Sequence, residues 1–536
     1  MHTRLRAGLA AAALVLVLLG ASIFGTSRVS AAGGKPPGPH RNTLITENYT
    51  SYKWWVKQWS NARLMCQLFI DHDGLPIGSE IYKNCGQDVY IQWINTKPCN
   101  SFKEDPKACQ GDYLQLVQSA PAQRQVSVAL PAPLIWLTLN GCTAIDSTNL
   151  CASLPTLVLT GVEPLPNEHI IGIAGTMDGA AFSCDATCPL DLSPTDQNGM
   201  ALQFWAYSSH GDSSVTFDAQ VRVVKGEGAD SNSWYVDVIS SQWKGTPIGA
   251  CSEIWNAFPP VGGPPAWLTT PKQSGDLSSG IPFVYLAANL ISRGMVDVST
   301  CPDAGFSSDG AVSTCGMDAS QPSVDEWQNR FDDQILSAAS DSGIPAQLLK
   351  NIFSRESQFW PGVFADQIEV GLGHLTDNGA DTALLWNSSF YQQYCPLVFA
   401  DSTCQKGYAL LTPSQQALLR GALVRSVDAS CSNCSQGLDL TQAGFSISVF
   451  AEILKANCEQ AGTIVHNATG KTPALASTYE DLWRFTLVNY NAGPGCLILA
   501  IRQAQSRGSP LDWKHISADL TPPCQGAIDY VNTISQ

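Results

Sequence analysis

Charge is what this 536-residue chain has least of. Asp, Glu, Lys and Arg make up 14% of it, against roughly 25% in an ordinary soluble domain. Basic residues are the scarcer kind: 30 Lys and Arg face 46 Asp and Glu, a net charge of −16. Affinity for a phosphate backbone comes from clustered Lys and Arg that release counterions, so this shortage argues against nucleic acid as a partner. Low charge does not imply disorder, because 44% of the residues are hydrophobic and 15 are Trp. Past Gly25 there is also no run long and apolar enough to span a bilayer. Cysteine, in contrast, is plentiful. The 18 Cys run from Cys66 to Cys524, an even set that fits disulfides in an oxidising compartment.

The first residues agree with that compartment. Arg4 and Arg6 precede the uncharged apolar run from Ala7 to Gly25, and Val29-Ser30-Ala31 offers small residues for cleavage. Residues 1–32 therefore read as a signal peptide. Left uncleaved, the same run just spans a bilayer, and a membrane is a partner only in that case. Either way the remainder is expected to be secreted or held in the cell envelope.

At roughly 100–200 residues per domain, the length predicts about three domains. After a Gly/Pro-rich spacer at 33–40, the pattern to about residue 250 is strand-like. Met200, Leu202, Phe204 and Ala206 alternate with other residues, as do Val215, Phe217, Ala219, Val221 and Val223, with a polar turn at 208–214 between the runs. We expect a β-rich module over 41–150 and an immunoglobulin-like β-sandwich over 151–250. Cysteines here fall in close pairs, Cys66/Cys85, Cys99/Cys109, Cys142/Cys151 and Cys184/Cys188, for which local pairing is the simplest expectation. Residues 251–320, rich in Pro, Gly and Ser, read as a linker with a short helical stretch over Ile281–Met295 and a small Cys-containing segment closed by Cys301 and Cys315.

From about residue 321 the period becomes helical. Ser323 and Glu326 form a capping-box pattern ahead of Trp327, Phe331, Ile335 and Ala338, and Gly343 and Pro345 punctuate the next helix. Further helices are expected at Thr441–Cys458, from Thr478 to Asn491, and at Cys496–Ala504. The fold class is thus multidomain: all-β at the N-terminus, mainly α at the C-terminus. The cysteines divide 11 before residue 321 and 7 after it. If all are oxidised, at least one bridge must join the two parts.

On the helix that follows Pro345, Leu348, Leu349, Ile352 and Phe353 form an apolar stripe, and Glu356 projects on or beside it. Burial disfavours the charged form of a carboxylic acid, which is what a general acid near neutral pH requires. Glu356-Ser357 is followed fifteen residues later by Gly371-Leu372-Gly373-His374, and far downstream by Asn489-Tyr490-Asn491-Ala492-Gly493. In this order the motifs resemble those of the soluble lytic transglycosylase family, whose fold is that of goose-type lysozyme. Ala527-Ile528-Asp529-Tyr530-Val531 is similar to the family's closing helix. The resemblance covers 321–536, with residues 377–440 as an insertion, and leaves 41–320 untouched.

What the resemblance implies is a peptidoglycan lytic transglycosylase. It would cut the β-1,4 bond between N-acetylmuramic acid and N-acetylglucosamine with Glu356 as the single acid and base, leave a 1,6-anhydro end, and need no metal or cofactor. Ser357, Gly371, Leu372, His374, Tyr490 and Asn491 match positions that bind substrate or flank the glutamate, and Tyr490 would hydrogen-bond the Glu356 carboxyl group. His374 stands where the family has Gln, and Gly373 where it has Met. Asp366 and Glu369 are candidates for a second carboxylate if water is the nucleophile instead, as in a muramidase on the same fold. A glycan-binding protein without activity is the reading of a different class. Cys431-Ser432-Asn433-Cys434 has zinc-knuckle spacing, but no second tight pair or nearby His follows, and disulfides suit an exported chain better.

Overall fold

The structure, a computed structural model, describes residues 38–97, 109–142, 150–226, 232–245, 248–280, 282–364, 369–434 and 436–536. The proposed signal peptide at 1–32, Cys99 and Asp366 lie outside the described residues. Strands occupy the region 42–240 and helices predominate over 250–534, the order that the change of period predicts. The chain divides into two compact units, one of Pro37–Pro133 with Glu163–His169, the other including Leu134–Val162 and Ile170–Gln536.

In the first unit β1 (Asn42–Gln58) pairs antiparallel with β2 (Leu64–Ile70) on one side. Helices α1 (Gly78–Cys85) and α2 (Gln87–Ile94) follow, and β3 (Asp112–Ala129) closes the other side of β1. The alternating Trp54, Val56, Leu68 and Ile70 meet Ile81 of α1 in a small core, and Cys66–Cys85 ties β2 to α1. Arg41 grips Glu163 through both guanidinium nitrogens at 2.6 and 2.8 Å, both side chains buried. Such a bidentate pair holds Glu163–His169 in this unit. Asp112 at the start of β3 is buried, with neither carboxylate oxygen partnered among the described residues.

The second unit begins with two sheets. The strands β4 (Leu134–Asn140), β6 (Thr156–Val162) and β9 (Thr187–Asp191) form one; the other is ordered β5 (Leu150–Cys151), β12 (Trp234–Ile239), β11 (Phe217–Lys225), β10 (Met200–Ser208), β7 (Ile170–Met177) and β8 (Ala180–Cys184). Every pairing is antiparallel. Leu137, Leu159, Phe204, Val221 and Val236, from both sheets, share one buried core. The predicted alternation of Met200, Leu202, Phe204 and Ala206 is all inward. The boundary expected at 150 falls instead before β4, because β4 is in register with β6 along its whole length. Val215 is half-exposed in the turn, so its strand starts at Phe217.

The stretch expected to be a linker, 251–320, is part of the helical core. α3 (Ala250–Trp255) lies in it, as does α4 (Val284–Ser292), the latter within the helical stretch expected over Ile281–Met295, and Trp255, Trp267, Leu277 and Leu286 are buried with the helices that follow. Cys251 bonds Cys458 across 207 residues, the cross-bridge that the odd cysteine counts require. Cys142–Cys151, Cys184–Cys188 and Cys301–Cys315 pair locally as expected. Cys431–Cys434, with its zinc-knuckle spacing, is a disulfide too. Eight such bonds among the described residues suit an oxidising, extracytoplasmic setting. None of the described helices is long and apolar enough to cross a membrane.

The capping-box pattern at Ser323 starts no helix. α5 (Thr314–Asn329) begins earlier, with the Ser313 hydroxyl accepting from the Gly316 N–H, and runs through Pro322. The break comes at Arg330–Phe331, before α6 (Asp332–Ser342), which Gly343 ends in a left-handed conformation. α7 (Ala346–Glu356) follows. A short pair, β13 (Val363–Phe364) and β14 (Glu369–Val370), leads to α8 (Asp377–Trp386), α9 (Ser388–Tyr394), α10 (Asp401–Cys404) and α11 (Pro413–Val427). The axis of the domain is α12 (Leu440–Thr469), a helix of 30 residues buried on several sides. Gly462 on it leaves room for the Trp255 ring, which a Cβ would meet at 2.8 Å. Against it pack α13 (Pro473–Ala476), α14 (Tyr479–Ala492) and α15 (Pro494–Ser506); α16 (Trp513–Ala518) packs on α15, and α17 (Gly526–Ile534) on α14 and α7.

Lys350, in the middle of α7, is fully buried. Its ammonium donates to both Asp332 oxygens at 2.8 and 2.7 Å, to Asn329 Oδ1 at 2.8 Å and to the Leu277 carbonyl at 3.4 Å. Burial pulls the Lys350 pKa down and pushes Asp332 up, each opposed by the other's charge. Lys350→Met, which strands the Asp332 carboxylate, is expected to destabilise the helical region by about 3–5 kcal/mol, and adding Asp332→Leu to recover most of it. Denaturant midpoints of the two variants check this, and a double variant no better than the single would refute it.

Asp112 gives a pH prediction. Burial raises its folded pKa above the ordinary 3.8, so its stabilising contribution is present below that value and lost as pH rises through the folded pKa. Thermal melts from pH 3 upward should show this loss in the wild type. Asp112→Asn should reduce it and raise stability at neutral pH.

Candidate active site

Glu356 is the last residue of α7. Where the helix ends, the chain turns sharply through Gln358 and Phe359, both at positive φ. The turn is pinned from outside. Trp327 Nε1 donates to the Phe359 carbonyl at 2.9 Å, and Gln358 Oε1 accepts the Tyr285 and Leu286 N–H groups at the start of α4, at 2.8 and 3.2 Å. The chain then returns through β13 and β14 to a second tight turn, Gly371–His374. Val370 and Leu375 bridge its two ends, exchanging both backbone bonds at 3.1 and 2.8 Å. Gly371 and His374 both take positive φ, 78° and 52°.

This return brings His374 over Glu356. Its Nδ1 lies 3.3 Å from Glu356 Oε2 and 3.4 Å from Glu369 Oε2. The other Glu356 oxygen accepts from the Tyr530 hydroxyl at 2.6 Å. The Glu356 side chain keeps 14% of its exposure, His374 17% and Glu369 37%, so the cluster is recessed yet reachable. The imidazole packs on Phe364 with ring centres 4.2 Å apart. Its Nε2 is sealed from water and has no hydrogen-bond partner among the described residues.

Tyr490, at the end of α14, donates to the Gly373 carbonyl and so holds the second turn. Burial, and then the nearby charges of Glu356 and Glu369, push its hydroxyl well above the usual tyrosine range. Tyr530 is pushed up for the same reasons, burial first and Glu356 next. Both phenols therefore stay protonated and act as donors. The expectation that Tyr490 bonds the Glu356 carboxyl is corrected: Tyr530 makes that bond, and Tyr490 orients the loop that carries His374.

The remaining sequence candidates are divided. Ser357 is buried, and its hydroxyl donates back to the Phe353 carbonyl at 3.2 Å, capping α7. Leu372 is fully buried in the helical core, backbone included, and serves packing rather than ligand contact. Gly371 has no space for a side chain, since a Cβ would lie 2.8 Å from the Val427 carbonyl. Asn491 is exposed beyond Tyr490. Its neighbour Asn489 is buried and donates to Asn457 and Gln460 of α12, each at 2.8 Å, which seats α14. Glu369 does join the site. Tyr530 was the residue missed; its place in the closing-helix motif was the available signal.

In chemical terms this is one recessed carboxyl group with a neutral donor fixed on one oxygen and an imidazole beside the other. That suits an acid and base for bond cleavage at a polar substrate. No family model, curated protein or solved structure matches the chain.

Gly373 supplies a test of the architecture. A Cβ there would come within 2.5 Å of the Phe450 ring and 2.8 Å of the Tyr490 hydroxyl, and Phe450 is held in the core. Gly373→Ala should cost about 1–3 kcal/mol through overpacking and displace the turn. An unchanged denaturation midpoint would show that the turn does not sit against Phe450 and Tyr490.

Proposed function

We infer that the chain is an exported enzyme that cuts glycan strands of peptidoglycan as a lytic transglycosylase, with Glu356 as acid and base. The observation that carries this reading is convergence. Glu356, the Gly371–His374 turn, Tyr490 and Tyr530 are separated by up to 174 residues, yet they surround one carboxyl group. These are the segments whose motifs resemble the transglycosylase family. On this reading the helical domain is lysozyme-like, the two-sheet region is an immunoglobulin-like module, the leader directs export, and the partner is peptidoglycan.

Glu356 as an acid protonates the glycosidic oxygen while its bond to the muramic C1 breaks. As a carboxylate it then takes the proton of the C6 hydroxyl, whose oxygen bonds to C1. A nucleophile inside the same sugar has a high effective concentration and makes water unnecessary. The Tyr530 hydroxyl orients the carboxyl throughout. A second reading, hydrolysis by a muramidase, is favoured by the carboxylate of Glu369 beside the site, since paired carboxylates activate water in many glycosidases.

Digestion of purified peptidoglycan and mass analysis of the products separates these readings. Anhydro ends are expected, reducing ends would make it a hydrolase, and no release would leave a glycan-binding protein. Glu356→Gln should abolish release with the fold intact by circular dichroism; retained activity would overturn the assignment of Glu356.

A further inference from the structure

One imidazole nitrogen faces two carboxylates at this site, and it can carry only one hydrogen. His374 Nδ1 is 3.3 Å from Glu356 and 3.4 Å from Glu369. Both distances exceed those of a well-formed hydrogen bond to a carboxylate. The nitrogen lies between two acceptors and is committed to neither. The rest of the ring is fixed: Phe364 packs on it, the turn holds its backbone at φ 52°, and Tyr490 holds the preceding carbonyl.

The hydrogen belongs on Nδ1. A bare Nδ1 would aim its lone pair at two carboxylates, whereas Nε2, sealed from water with no partner among the described residues, has no acceptor to receive an N–H. Glu356 also has its two oxygens in different company. Oε1 is committed to Tyr530 at 2.6 Å, which leaves Oε2, the one facing His374, to carry the working proton.

We propose that His374 is a positioning residue that gives its single Nδ1–H to two carboxylates in turn, to Glu369 while Glu356 holds a proton and to Glu356 once that proton has left. The proposal rests on the acid–base reading of Glu356 and deepens it by giving Glu369 a part. With Glu356 protonated, the N–H pairs with the Glu369 carboxylate. When the Oε2 proton passes to the leaving glycosidic oxygen, Oε2 becomes charged and the N–H turns to it, stabilising the anion as it forms. When the C6 hydroxyl returns a proton to Oε2 and its oxygen bonds to C1, the N–H goes back to Glu369. No proton crosses the imidazole, and the enzyme ends as it began. Glu369 serves as the resting place of the N–H rather than as a base for water.

Removing either end of such a shared bond should remove the same benefit. On purified peptidoglycan, His374→Gln and Glu369→Gln are each expected to lower kcat by about 10- to 100-fold with KM little changed. The double variant should be no worse than the poorer single. Losses that multiply, or that fall on KM, would mean that the two residues act separately and would overturn the proposal. Nitrogen NMR of the full chain with labelled histidine, the His374 signal assigned by its absence in His374→Gln, should show the hydrogen on Nδ1. Hydrogen on Nε2 would overturn the sharing without reference to activity. Activity retained by Glu356→Gln would instead strike the acid–base reading itself, and this proposal would fall with it.

Discussion

A lysine ammonium with no access to water must find its partners inside the protein, and much of the helical domain is arranged around that need. Lys350 collects them from the segment before α4, from the last residue of α5 and from the first residue of α6. An isolated charge there would be far too costly to bury, so three segments must arrive together or not at all. This gives the break between α5 and α6 a physical reason, since Asn329 and Asp332 flank it and both serve the same ammonium. It also draws residues that read as a linker into the core. The pair adds little net stability by itself, because burial opposes both charges. Its effect is to fix where α7 lies.

Fixing α7 fixes Glu356. The helix is held at its centre by Lys350 and toward its end by α17, where Asn351 donates to the Ile534 carbonyl at 2.9 Å and Arg355 meets Asp529 at 2.7 Å. The second contact is exposed and worth little energetically, but Asp529 is next to Tyr530. The same docking that joins α7 to α17 thus delivers the phenol to the carboxyl. On the opposite side the turns are held by side chains from α5 and α14. Every group on Glu356 is therefore presented by an element anchored elsewhere, as a site needs if its geometry is to survive thermal motion.

Periodic signals survived folding and combinatorial ones did not. The alternation in β10 and the cap at Thr478 for α14 depend on neighbours in sequence, and both are found in place. The capping-box pattern at Ser323 is equally local, yet Ser313 captured the helix start and Asp332 the break, because tertiary contacts outweigh a cap worth about 1 kcal/mol. The Pro- and Gly-rich composition of 258–282, within 251–320, suggests an open linker, but Trp267 and Leu277 supply enough apolar surface to bury it. Parity succeeded where pattern failed. Odd cysteine counts on either side of residue 321 demand a crossing bond whatever the fold, and Cys251–Cys458 is that bond.

At the site, residue type was legible and role was not. Motif order marked Glu356, His374 and Tyr490 as members of one place. Which tyrosine bonds the carboxyl depends on how α14 and α17 are rotated against α7, and no spacing along the chain encodes that. Two phenols stand near one carboxylate, and the Tyr490 phenol adds to the cost of ionising Tyr530, after burial and Glu356. The consequence is a carboxyl group whose two neighbouring phenols stay protonated near neutrality, in a protein whose net charge is −16. On the proposed reading the substrate is peptidoglycan, which carries carboxylates of its own, so long-range attraction would not bring such a strand to this site. Binding would have to come from short-range contacts with the sugars, which makes the shape of the two turns, more than the charge of the surface, the property that selects a substrate.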